Sequence, residues 1–94
     1  MEIYMKIKSG FVLEEVAGSY LAVAVGERAE NFNGMVRLNA TGAFLWNILK
    51  DKDVTREELV KEVVAAYEGV TEKEVLPGIA AFEEKLRLAG IIED

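Results

Sequence analysis

Between Met35 and Leu49 the spacing of hydrophobic positions changes from every second residue to every third or fourth. Val36 and Leu38 fall on one face of an extended segment, with Met35 and Arg37 on the other, which predicts a short strand. Directly after it, Phe44, Leu45, Ile48 and Leu49 gather on one side of a helix predicted over Thr41–Lys50, with Trp46 beside them. Asn39 or Thr41 can accept hydrogen bonds from the first free amides of that helix. Asp51-Lys52-Asp53 closes it. The stretch joins a sheet-like first half of the chain to a helical second half, so a site drawing on both halves must lie near it.

Upstream, Ile3, Met5 and Ile7 alternate within Met1–Ser9, which reads as an N-terminal arm or extra strand preceding a domain over 10–94. Phe11–Val16 and Tyr20–Val25 read as strands of a hairpin around Ala17-Gly18-Ser19, with Gly18 supplying the positive φ of a tight turn. Gly26–Gly34 is polar and loop-like and ends in the turn dipeptide Asn33-Gly34. Downstream, Thr55-Arg56-Glu57-Glu58 is a capping box, in which hydroxyl and carboxylate each reach the other residue's amide. It opens a second helix with an apolar stripe of Leu59, Val60, Val63, Val64 and Tyr67. Thr71-Glu72-Lys73-Glu74 repeats the device for a third helix, whose stripe is Val75, Ile79, Phe82, Leu86 and Ala89. Gly90 suits a left-handed cap, after which Ile91 and Ile92 fold back on the core. Pro77 interrupts the pattern because it cannot donate to the Lys73 carbonyl, so the helix kinks there or Pro77 opens it; the kink is the favoured reading. The result is an α+β domain of winged helix-turn-helix type. A three-stranded antiparallel sheet is followed by three α-helices, the sheet standing beside the last two as a wing.

Composition narrows the chemistry. At 94 residues, 51% hydrophobic and 30% charged, the chain suits one small soluble domain. It has no cysteine, hence no disulfide, thiolate nucleophile or iron–sulfur ligand. It has no histidine, which removes the usual base near neutral pH and the commonest metal ligand. A non-enzymatic domain without cofactor or metal is therefore expected. The net charge of −6 disfavours a nucleic-acid backbone and suits a protein or peptide partner. Apolar runs such as Leu21–Val25 are too short to span a bilayer, and MEIYMKIKSG lacks the apolar region of a secretory signal, so no membrane partner and a cytoplasmic setting are expected.

The segment Leu38-Asn39-Ala40-Thr41-Gly42-Ala43-Phe44-Leu45-Trp46, followed by Leu49, resembles the L-N-x-T-G-x-x-x-W-x-x-L signature of PqqD-like proteins. The likeness continues through the Thr55–Tyr67 helix and Val75-x-x-x-Ile79-x-x-Phe82-x-x-x-Leu86 to Gly90-Ile91-Ile92. This resemblance implies a winged helix-turn-helix that recognises peptides in the biosynthesis of ribosomally made, post-translationally modified products. Members capture the leader segment of a precursor peptide and present it to a modifying enzyme, often a radical S-adenosylmethionine (radical SAM) protein. The leader adds a strand between the third strand and the third helix.

The residues suit that mode. Main-chain groups of Met35, Val36, Arg37 and Leu38 would lie unpaired along one edge, open to an extended peptide or to a second copy of the chain. A flank of the third helix beside its core stripe carries Leu76, Ala80, Glu83 and Arg87. Small Ala80 would admit a peptide closely, while Glu83 and Arg87 would pair with its charges. Trp46 reads as core rather than as a ligand platform. Asn39 and Thr41 read as a cap, and Gly42 as a close-packing residue. Glu14-Glu15, Glu57-Glu58 and Glu83-Glu84 are adjacent carboxylates that diverge, and read as solvated surface. The alternative is a winged-helix DNA-binding regulator. It would need clustered cations on the third helix, where Lys73, Lys85 and Arg87 are instead offset by Glu72, Glu74, Glu83 and Glu84.

Overall fold

Strands β2 (Phe11–Val16) and β3 (Ser19–Ala24) pair antiparallel from Phe11↔Ala24 to Val16↔Ser19 in a computed structural model that describes residues 4–31 and 35–93. The Asn33-Gly34 turn and the first residues of the N-terminal segment lie outside the described residues. The hairpin turn is Ala17-Gly18, with φ of 51° and 81°. Positive φ at both central residues is the type I′ requirement, which matches the twist of the flanking strands. Glycine adopts it freely, but at Ala17 it costs about 1 kcal/mol. Ala17→Asn should therefore raise the thermal midpoint by about 2–8 °C, asparagine tolerating this region and forming an Asn-Gly turn. A midpoint that stays put or falls, followed by circular dichroism, would show that Ala17 is unstrained.

Strand β4 (Met35–Leu38) pairs with β3 from Tyr20↔Leu38 to Val23↔Met35, giving the order β2-β3-β4 with β4 at an edge. Val36 and Leu38 turn inward and Met35 and Arg37 outward, as their alternation predicts. The preceding segment is not wholly a loop. It contains one helical turn, α1 (Arg28–Asn31), too short to show a period. From it Arg28 Nε donates to the Ser9 carbonyl at 3.2 Å, and the guanidinium lies 5.3 Å from the centre of the Phe11 ring.

The N-terminal segment forms strand β1 (Tyr4–Ile7) of a second sheet, ordered β5-β1-β6. Its neighbours β5 (Val54–Thr55) and β6 (Ile92–Glu93) are two residues each, too short to be read from alternation. Met5 pairs with Val54 and is buried, tying the segment to the core.

The helices are α2 (Ala40–Leu49), α3 (Arg56–Ala66) and α4 (Glu72–Leu88). Asn39 is the cap of α2: its Oδ1 accepts from the Gly42 amide at 2.7 Å. A Cβ on Gly42 would lie 3.2 Å from both that oxygen and Leu38 Cβ, so the Asn-x-x-Gly spacing combines a cap with a contact too tight for a side chain. Both capping boxes form as their sequences predict. Helix α4 is continuous from Thr71, so Pro77 lies inside it and does not open it. It ends in a Schellman motif: Gly90 has φ 76°, its amide donates to the Arg87 carbonyl at 3.0 Å, and the Ile91 amide donates to the Leu86 carbonyl at 2.9 Å. That turn delivers Ile91 and Ile92 to the core and starts β6.

The core lies between the two sheets and the three long helices, around Leu45, Trp46, Leu59, Ile79, Leu86 and Ile91. Trp46 is 1% exposed, a core residue as expected. Among the described residues no helix is long and apolar enough to cross a membrane.

Candidate functional site

The hairpin turn decides which main-chain groups of β4 are unused. A two-residue turn makes Val16↔Ser19 a hydrogen-bonded pair. Alternation along β3 then directs the groups of Ser19, Leu21 and Val23 toward β2, and those of Tyr20 and Ala22 toward β4. Their partners Leu38 and Val36 therefore use their N–H and C=O groups inside the sheet. Those of Met35 and Arg37 point to the open edge. Of the four strand residues expected along the edge, two direct their main-chain groups outward and two direct them to β3. The Arg37 carbonyl accepts one hydrogen bond, from Lys85 Nζ at 3.0 Å.

That bond fixes which flank of α4 faces the edge. Positions 74, 78, 81 and 85 share one side of a helix, on the far side of the core stripe from positions 76, 80, 83 and 87. A cleft of about 410 Å³ opens on the first flank. Its walls include Leu38 at the end of β4, Leu45 of α2, Val63 of α3 and Tyr67 just after it, and Val75, Ile79 and Phe82 of α4. This volume is within the ordinary range for ligand pockets, roughly 300–1,000 Å³. At Gly78 a Cβ would meet no atom within 4 Å, so the helix surface has a gap where a ligand backbone can come close. Tyr67, read from its spacing as a core position, is 40% exposed and stands at the cleft, its ring edge-to-face with Phe44 at 5.7 Å.

Leu76, Ala80, Glu83 and Arg87 are thus not the helix residues beside β4. Leu76 is exposed and Ala80 half-buried, but neither lines the cleft. Glu83 departs furthest from expectation. It is 3% exposed and receives two hydrogen bonds from Arg56, Nε to Oε1 and Nη2 to Oε2, both 2.8 Å. It clamps α4 to α3 and is not solvated surface. The carboxylate raises the Arg56 pKa above its ordinary value, first by the side-chain hydrogen bond and then by Coulomb attraction. A raised arginine keeps its contribution below its unfolded-state pKa and loses it only on titration in strong alkali, so this arginine is no switch near neutrality. The apolar stripe is silent on the choice of flank because both flanks border it. Two other signals mark the flank that carries the cleft: a glycine inside a helix at 78, where it is costly without a local reason, and an aromatic at the margin of the second helix's stripe.

The fold is shared with a solved structure. It is similar to "TbiB1 in Complex with the TbiA(beta) Leader Peptide", with a TM-score of 0.70, 20% sequence identity and 94% of each chain covered. At that identity the likeness concerns the fold. No curated protein matches the chain significantly in sequence. Residues 11–92, from the first strand of the hairpin to the strand after α4, match the family described as coenzyme PQQ synthesis protein D (PqqD), and the chain belongs to that family.

Proposed function

We propose that this domain captures the leader segment of a ribosomally synthesised precursor peptide, which adds a strand along β4 and sets side chains into the cleft beside α4. The observation that carries the reading is the outward-facing main chain of Met35 and Arg37 on an open sheet edge, linked to an apolar cleft by Lys85, which lines the cleft and bonds the Arg37 carbonyl. An extended peptide satisfies such an edge with its own backbone, and alternate side chains of the added strand enter the adjoining pocket. That the structurally similar TbiB1 is in complex with a leader peptide supports a leader segment as the ligand here. The domain acts by binding and presentation rather than by catalysis, handing the precursor to a modifying enzyme. A radical SAM protein is the partner its family resemblance suggests.

An edge with two outward-facing residues and one small pocket supports modest affinity, roughly micromolar, which is about −8 kcal/mol. The test is a titration of the isotope-labelled domain with a synthetic leader segment from a precursor encoded beside its gene, followed by amide chemical shifts. The amides of Met35, Arg37, Gly78 and Lys85 should move together and saturate. Shifts confined to β1, β2 or the flank of α4 that carries Leu76, Ala80 and Arg87 would refute the site.

A further inference from the structure

Lys85 is the cation of the cleft-facing flank of α4, and its ammonium holds a main-chain carbonyl that an added strand would need. We infer that Lys85 is the specificity-determining residue of this site: an incoming strand takes the Arg37 carbonyl from it, and the released ammonium selects an aspartate or glutamate on that strand. The inference rests on the strand-addition reading above.

Three physical points carry it. Charged groups, lysine above all, commonly guard sheet edges against indiscriminate strand pairing, and here a lysine reaching over from α4 covers one edge carbonyl. The bond is at the exposed surface, so exchanging it for a peptide N–H sacrifices little. After exchange the ammonium hangs on a flexible four-carbon stem over a strand about 4.8 Å from β4, close enough to meet a side chain of that strand. A neutral or basic residue there would leave the ammonium without a partner or repel it; a carboxylate would pair with it.

The overall charge of −6 does not oppose an acidic ligand at this spot. Charges beyond about 8 Å are largely screened at physiological salt. Of the α4 carboxylates, Glu83 is buried against Arg56, and Glu72 and Glu74 stand in the first turn, more than three turns from Lys85, with Glu74 bonded at Thr71. Glu84 is exposed but projects about 100° around the helix from Lys85. Arg37 adds a second cation on β4 itself.

The test selects a phage-displayed library of random dodecapeptides against the full chain and its Lys85→Glu and Lys85→Met variants. Lys85 is exposed, and both variants should keep the wild-type melting temperature. Peptides recovered on the wild type should share an acidic residue at one position. Those recovered on Lys85→Glu should carry Lys or Arg there, and those on Lys85→Met should show no charge preference while keeping the apolar positions. For one recovered peptide, exchanging its Glu for Gln should weaken wild-type binding about two- to fivefold, the size of an exposed ion pair, and leave Lys85→Met unaffected. The same charge preference in all three pools, or none on the wild type, overturns the role of Lys85 while leaving peptide capture intact. Failure of every pool to enrich removes peptide capture itself, and this inference with it.

Discussion

Arg56→Met is expected to lower the unfolding free energy by about 2–4 kcal/mol, whereas Glu83→Met is expected to cost less than about 1 kcal/mol, although both remove the same pair. The asymmetry follows from where the two groups lie. Glu83 is 3% exposed, and without Arg56 it becomes a buried carboxylate with no counter-charge. The Arg56 side chain is 50% exposed, and without Glu83 it turns into water. Methionine at position 83 replaces a buried charge with apolar volume. The value for Arg56→Met is set below the full cost of an orphaned buried charge because water can enter the space the arginine vacates. Against a total stability of about 5–15 kcal/mol, such a loss brings the domain close to its folding threshold. Urea denaturation should resolve the difference, and the thermal midpoint of Arg56→Met should fall by roughly 10–20 °C. The double variant should resemble Glu83→Met alone. Equal losses from the two single changes would mean that the bridge behaves as an exposed ion pair.

Proline substitution along β4 should separate folding from binding at neighbouring residues. The Arg37 amide faces the open edge, so Arg37→Pro removes no bond to β3 and should destabilise the fold by only about 1 kcal/mol, the cost an edge position tolerates. It deletes the donor an added strand requires and places a ring along the edge. Leader binding should fall about ten- to hundredfold, as expected for one lost backbone hydrogen bond together with steric exclusion. The Val36 amide belongs to the ladder with Ala22, and Val36→Pro should destabilise the domain by about 3 kcal/mol. Isothermal titration with the leader segment, beside thermal melts of both variants, reads both quantities. Undiminished binding by Arg37→Pro excludes strand addition at β4. If Val36→Pro proves the better-folded variant, the assignment of inward and outward groups is reversed.

Local features were legible before any coordinates. The hairpin, β4 and the three long helices are written in periodicity. Their ends are written in Asn39, Thr55, Thr71 and Gly90, each of which acts through groups within a few residues of itself. The signature from Leu38 to Trp46 was readable for the same reason: Asn39 caps, Gly42 makes room, and Trp46 fills the core. The second sheet was not legible. Its outer strands are two residues long and meet β1 from positions about 50 and 90 residues away, and pairs of that kind leave no period.

By itself the sequence determined the hairpin, β4, the three long helices and where these stop, and that an open edge would lie at Met35–Leu38. Only the tertiary structure decided that Met35 and Arg37, rather than Val36 and Leu38, present their backbone outward. It also decided that α4 turns Gly78 and Lys85, rather than Leu76 and Ala80, toward the cleft. The physical reason is the range of the forces involved. Caps, turns and hydrophobic periods act over a few residues, whereas the rotation of a helix about its axis is set by contacts such as Arg56 with Glu83 and Lys85 with Arg37. Those partners stand 27 and 48 positions apart in the chain.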